Sequence, residues 1–177
     1  MKTKQKIFFA KLIFRIISFF FPINVIVRRN KIKWNLNLSE AIDLHIFIFG
    51  SFEKEITKIA KKLNLIRYNQ IIDIGANFGI QSLQFAQSFS QSKIYSIEPT
   101  DYAFDKLNKN LNLNPQLSKN IYPFHMFLGL EGKKKPRSIY SSWNLVSREP
   151  KHSKHQGEKK SAENSNFLTL DEFIVLN

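Results

Sequence analysis

At 177 residues with 43% hydrophobic content, the chain has the length and apolar fraction of one globular domain rather than a disordered segment. It has no cysteine, which excludes a disulfide scaffold and thiolate metal sites and leaves an intracellular location as the default reading. Its formal charge of +13 is uneven: nine Lys or Arg and no acid lie in residues 1–33, nine more in residues 133–160, and the nine between 34 and 130 face eight acids. A basic arm of this kind suits anionic lipid and nucleic acid equally on charge alone.

Residues 1–30 open with "MKTKQKIFFAKLIFRIISFFFPINVIV", read as a helix ended by Pro22. Lys4, Lys11, Arg15 and Ser18 share one stripe, and Phe8, Phe9, Leu12, Ile13, Ile16, Ile17, Phe19 and Phe20 cover the rest. Lys11 and Arg15 interrupt the apolar run before it reaches the ~18–20 uncharged residues that a spanning helix needs. Three readings stay open: a basic amphipathic helix lying in a membrane interface, a helix packing on the domain or a partner chain, and a signal anchor. The first adds a peripheral position at the inner face of a membrane to the intracellular reading.

Residues 31–68 form a lead-in. "KWNLNL" alternates strictly from Lys33 to Leu38 and predicts a half-buried strand, and "AIDLHIFIFG" predicts a second, stopped by Gly50. From Phe52 to Leu63, Phe52, Ile56, Ile59, Ala60 and Leu63 recur at helical spacing opposite a lysine-rich back, predicting a core-packed helix. In residues 69–177, "QIIDIG", "SKIYSIE" and "NIYPFHMFLG" read as strands, with "GIQSLQFAQSF" and "DYAFDKLNKNLNLN" as helices between them. That alternation predicts an α/β fold with a parallel sheet and right-handed crossovers. Residues 131–166 are polar and read as a long, mobile insertion with a short strand at Ser138–Tyr140. "FLTLDEFI" then starts a helix with Thr169 placed to cap it.

The chemistry concentrates between Asp73 and Glu98. Ligands of parallel sheets bind beyond the carboxyl ends of the strands, where both acids are expected. Between them runs Gly75-Ala76-Asn77-Phe78-Gly79. Gly75 permits the tight turn, Asn77 tolerates a positive φ, and Gly79 lets the helix lie close on the sheet. A dinucleotide site wants G-x-G-x-x-G; here the glycines are four apart, Asn77 replaces the middle one, and Asp73 would face a diphosphate. S-adenosylmethionine reverses those signs, because it carries an ammonium and a sulfonium. Glu98, nineteen residues after Gly79, is placed to accept both ribose hydroxyls. A nicotinamide-dependent oxidoreductase is the more distant alternative.

"IIDIGANFGIQSL", "IYSIEPTDYAFDKLNKNLNLN", "FLGLEG" and "FLTLDEFI", with the lead-in residues Trp34, Leu36, Asp43, Gly50, Phe52 and Glu53, resemble the FkbM-type methyltransferases. The resemblance covers roughly Trp34 to Phe173. It implies a Rossmann-like S-adenosylmethionine-dependent O-methyltransferase acting on a hydroxyl of a sugar or natural-product acceptor. It also implies that Asp73, Gly75, Asn77 and Gly79 line the methionine end of the cofactor, that Glu98 holds the ribose, and that Pro99 and Phe104 wall the adenosine. Members of the family continue past "TLDEF" into a fourth strand that pairs with the first, so the expectation here is a C-terminally truncated member with the first three βα units. No catalytic base is assigned and no metal or nucleic-acid partner is expected. The competing reading is a catalytically dead fragment that associates with membrane or an anionic partner through its basic helix.

Blander roles stand beside these. Asp73 and Glu98 could cap backbone amides; His152 and His155 read as solvated surface; His125 reads as a core or pocket-wall residue. Lys133–Lys135 reads as a solvated turn or a contact for an anionic substrate, and Tyr140 and Trp143 as pocket cover or loop filling.

Overall fold

The computed structural model describes residues 3–63, 69–141, 143–149, 151–154 and 156–177. His155 therefore lies outside the described residues. The chain divides into two compact units: Met1–Phe52 with Tyr140–Lys160, and Glu53–Ile139 with Ser161–Asn177.

The first unit starts with helix α1 (Thr3–Phe20), followed by strands β1 (Asn24–Arg29) and β2 (Ile32–Asn37) and helix α2 (Ala41–Phe49). β1 and β2 pair antiparallel, with Val27 opposite Trp34 and Arg29 opposite Ile32. Asn30 and Lys31 turn the hairpin, both at positive φ (48° and 68°), which is the backbone that a two-residue hairpin loop favours. β2 buries Ile32, Trp34 and Leu36 on one face, and Leu38, Leu44, Ile46 and Leu145 of the same unit are buried as well.

The strand expected over "AIDLHIFIFG" is a helix. Its β-branched and aromatic residues invite the strand reading, but the buried set Asp43, Leu44, Ile46 and Phe47 has helical spacing. Gly50 closes it at φ 81°, its N–H bonded to the Ile46 carbonyl. Asp43 sits in the first turn of α2, where the helix dipole favours a carboxylate, and accepts the Asn37 N–H at 2.6 Å. The Ala41 N–H donates to the Trp143 carbonyl, and Leu145 N–H to Ser39, so Trp143 ties a distant stretch of chain to the start of α2. Glu158 is buried between Lys151 (4.0 Å) and Lys160 (3.3 Å).

The second unit holds helix α3 (Lys54–Lys62), strand β3 (Gln70–Ile74), helix α4 (Ile80–Ser88), strand β4 (Lys93–Glu98), helices α5 (Asp101–Leu113) and α6 (Pro115–Ser118), and strand β5 (Ile121–Gly129). Two short paired strands, β6 (Ser138–Ser141) and β7 (Glu158–Ser161), lie mostly in the Tyr140–Lys160 stretch of the first unit, and β8 (Asn166–Thr169) and helix α7 (Leu170–Leu176) complete the second. Strands β3, β4, β5 and β8 lie side by side in that order, all parallel, which makes the unit an α/β, Rossmann-like layer. Three sheet strands were expected; β8 is a fourth, added beyond β5 rather than beside β3. Residues 131–166 are thus not only a loop, for they contain β6, β7 and the start of β8. Thr169 caps α7 as expected, in a full capping box: its hydroxyl accepts the Glu172 N–H while the Glu172 carboxylate accepts the Thr169 N–H.

α3 departs from its expectation. Of the stripe expected in the core, Ala60 is buried, Phe52 is half-buried, and Ile56, Ile59 and Leu63 face outward, while Thr57 is buried in their place. Register separates the two faces of the sheet. Ile71, Asp73, Ile94, Ser96, Ile121, Pro123 and His125 share one face, reached by Ser82 of α4 and Phe104 of α5. The other carries Ile72, Ile74, Tyr95, Ile97, Tyr122, Phe124 and Met126; there α7 sets Phe173, 1% exposed, edge-on to Tyr95 and Phe124.

Candidate functional site

The turn joining β3 to α4 is built almost entirely from backbone. Gly75 (φ 76°), Asn77 (φ 50°) and Gly79 (φ 88°) all take left-handed conformations, which L residues other than Asn and Asp adopt at a cost. The N–H groups of Gly75 and Ala76 both donate to the Ile97 carbonyl of β4, at 2.9 and 3.0 Å, locking the turn to the neighbouring strand. The buried Asn110 amide of α5 donates to the Phe78 carbonyl at 2.9 Å, and the Lys106 ammonium lies 4.1 Å from the centre of the Phe78 ring.

The two glycines have different jobs. A Cβ on Gly79 would come within 2.7 Å of the Leu107 Cδ1, so the close approach it permits is to α5 rather than to the sheet, as the sequence reading had it. A Cβ on Gly75 would meet nothing within 4 Å. The backbone beside Gly75 therefore borders open space at the carboxyl end of β3, where a ligand of a parallel sheet is expected to sit.

Asp73 and Glu98 flank this turn from the same face of the sheet. Asp73 pairs in register with Ser96, two residues short of Glu98, and so lies one level deeper. Its Oδ2 accepts the Ser82 hydroxyl at 2.6 Å, and the Ser96 hydroxyl donates in turn to Ser82 at 2.7 Å. Burial pushes the Asp73 carboxyl up from its ordinary value, against the pull of the Ser82 hydrogen bonds. Glu98 is 4% exposed. Burial raises its carboxyl too, opposed by hydrogen bonds from Thr100 and Asn77 and by His125.

Glu98 connects the turn to β4 directly. Its Oε2 accepts the Asn77 N–H at 2.9 Å, and its Oε1 accepts both the N–H (2.9 Å) and the hydroxyl (2.5 Å) of Thr100. A carboxylate offers about four lone-pair sites, two on each oxygen. Oε1 is full and Oε2 keeps one site, so Glu98 has room for one incoming hydroxyl, and a second must displace the Thr100 hydroxyl.

Beside Glu98, paired with it in register, is His125 of β5. Its ring stacks on Phe104 (4.5 Å, 8° between planes), and its Nε2 lies 3.2 Å from Asp101 Oδ1. The other Asp101 oxygen accepts the Ser161 hydroxyl. The sequence reading singled out Phe104 and His125 separately and missed Asp101 and Ser161. An acid in the first turn after "IEPT" was the available signal for Asp101, while nothing local marks Ser161. Lys135 is not merely solvated: its ammonium donates to the Glu163 (2.8 Å) and Ser165 carbonyls just before β8. Tyr140 sits edge-on to His152 at 5.0 Å.

This arrangement fits a cationic, hydroxyl-bearing ligand better than a diphosphate. The half-buried Asp73 and buried Glu98 carboxyls, both held above their usual range, are costly to ionise alone, and a nearby cation offsets that cost. Around the turn, Asn77 bonds to Glu98, Gly75 to the Ile97 carbonyl and Gly79 to the Ala76 carbonyl, while Asp73 bonds separately into the Ser82–Ser96 pair.

No protein-family model matches the chain. Over 48 residues it is 44% identical to Methyltransferase sdnD of Sordaria araneosa; the match covers 27% of this chain and 18% of that protein. The matched segment thus spans less than a fifth of the curated relative. Among solved structures, TYW2 of M. jannaschii, crystallised with AdoMet, aligns at 17% identity and a TM-score of 0.41, over 57% of this chain and 42% of that one. The structure of aTrm5 with tRNALeu aligns at 21% identity and a TM-score of 0.39, over 58% of this chain and 28% of that one. The chain is methyltransferase-like in sequence over that short segment and Rossmann-like in its parallel sheet.

Proposed function

We propose that the chain is an S-adenosylmethionine-dependent O-methyltransferase of the FkbM type, acting on a hydroxyl of a sugar or natural-product acceptor. The observation that carries this reading is the Asp73–Gly79 turn bonded through the Asn77 N–H to Glu98. The 48-residue identity to a methyltransferase supports it. In this reading Asp73 faces the positive methionine end of the cofactor, and the open backbone at Gly75 admits it. Glu98 takes one ribose hydroxyl at the free site of Oε2 and a second in exchange for Thr100. Phe104, stacked on His125, walls the adenosine.

When bound, the cofactor supplies a methyl group on a sulfonium. Asp73, Gly75, Asn77, Gly79 and Glu98 would hold it, and an acceptor hydroxyl that gives its proton to a base would take the methyl. No residue of this chain is assigned that base. Titration calorimetry with S-adenosylmethionine tests the reading. Saturable binding that Glu98→Ala weakens by about 1–3 kcal/mol, the cost of orphaned hydroxyls, is expected. Absence of binding by the folded full chain, or displacement of the ligand by a nicotinamide dinucleotide, overturns it.

A further inference from the structure

We infer that α1 docks on an anionic lipid bilayer, lying in the headgroup region with its phenylalanine-rich face toward the acyl chains.

One side of α1 is already used within its unit. Ile7, Ala10, Phe14 and Ile17 recur at helical spacing and are the least exposed residues of the helix, with Phe14 at 8%. The chain just beyond the helix packs Phe21 edge-on to Phe47 of α2 at 5.1 Å. Packing on the domain, one of the sequence readings, thus accounts for a narrow stripe and no more.

The opposite side is apolar and open. Phe8, Phe9, Leu12, Ile13, Ile16, Phe19 and Phe20 are all exposed, Phe19 at 85%, Phe20 at 71% and Phe8 at 66%. At about 100° per residue they fill one continuous arc of about 140°. Lys11 and Arg15 border that arc on one side and Lys6 borders it on the other, all three exposed. An apolar sector rimmed by long cationic side chains is what an interfacial helix requires, because Lys and Arg keep their heads in the headgroups while their stems lie along apolar surface. Among the described residues no helix is long and apolar enough to cross a membrane, so this helix would lie on the bilayer rather than span it.

Charge selects the occupant. Residues 1–33 hold nine basic side chains and no acid, complementing an anionic leaflet. A nucleic acid would reward the cations and could stack on phenylalanine, but Leu12 and Ile16 at the middle of the arc offer it nothing. A second copy would set this basic segment against itself if the arcs met face to face, placing like charges opposite each other.

The test is co-sedimentation of the full chain with phosphatidylcholine vesicles, with and without an equimolar share of phosphatidylglycerol. Strong partition only onto the anionic vesicles is expected, falling in about 1 M salt, where the Debye length is about 3 Å. Phe19→Ser with Phe20→Ser should lower the partition about tenfold or more, since each phenylalanine loses its apolar burial. Lys11→Ala with Arg15→Ala should lower it about 25-fold, near fivefold per charge. All four side chains are exposed, and circular dichroism of each variant checks that the fold is kept. The inference fails if anionic vesicles leave the chain in the supernatant, or if the phenylalanine variant partitions as well as wild type. It also fails if RNA competes the chain off without regard to the phenylalanines, or if the face proves to be buried in a dimer that forms without lipid and that Phe19→Ser dissolves.

Discussion

The two faces of the β3–β4–β5 sheet are built from neighbouring residues of the same strands and do different work. On one, Asp73, Ser96 and Glu98 reach Ser82, Asn77 and Thr100 through hydrogen bonds, and His125 lies within 3.2 Å of Asp101. On the other, Tyr95, Ile97 and Met126 meet Phe173, the Tyr95 hydroxyl reaching out to the Asn177 carbonyl at 3.3 Å, and the face is open again over β3, where Ile72 and Ile74 are exposed. Because side chains alternate along a strand, one short apolar run can supply a packed apolar face on one side and a polar, hydrogen-bonded face on the other.

Substitutions can break this division of labour. The largest effect belongs to the apolar face: Phe173→Ala should lower unfolding free energy by about 3–5 kcal/mol, the usual cost of emptying a buried aromatic site. Denaturant titration reads this, and cofactor affinity of the folded fraction should stay unchanged. If affinity falls in step, the faces are coupled and the contrast is wrong. On the polar face, Gly79→Ala should cost about 2–4 kcal/mol, combining a left-handed backbone with overpacking against Leu107. Gly75→Ala should cost only about 1–2 kcal/mol, from the backbone alone, while weakening the ligand that its open side would admit. Equal destabilisation by the two alanines would remove the distinction between a packing glycine and a ligand-facing one.

Acidity probes the same face more gently. Burial raises both Asp73 and Glu98, so ionising them costs the folded chain more than the unfolded one. Their contribution to stability is full below the unfolded carboxylate range and is lost as pH rises through the raised values. Binding of a cation runs the opposite way, since it needs the ionised forms. Affinity for S-adenosylmethionine should therefore fall as pH drops below the raised values, by up to about tenfold per pH unit for each acid that must be ionised. Affinity that stays flat into the ordinary carboxylate range near pH 4 would separate the acids from the ligand. The smallest effect is Ile74→Ser on the open part of the apolar face, expected within about 0.5 kcal/mol of wild type in thermal unfolding.

What the sequence disclosed follows from where its signals are local. The β3 turn was legible because Gly75, Asn77 and Gly79 mark positive φ within five residues, and the βα alternation was legible from periodicity. α2 was misread because Ile46, Phe47, Ile48 and Phe49 carry strand propensity, while the helical spacing and the closing Gly50 decide the outcome. β7 (EKKS) and β8 (NFLT) are short and polar or mixed, and they gain their form from partners far along the chain. The same distance hid the His125–Asp101–Ser161 cluster, whose members meet only once β5 lies beside β4. In Glu98 the sequence located the residue and its face but not the two Thr100 hydrogen bonds that already fill one of its oxygens.

The most direct test of the central claim is titration calorimetry of S-adenosylmethionine into the full chain, with Glu98→Ala alongside. One saturable site, weakened in the variant and indifferent to nicotinamide dinucleotide, is the predicted result. No heat of binding from a chain shown to be folded, or equal affinity in wild type and Glu98→Ala, would contradict the assignment of the turn and Glu98 to that cofactor.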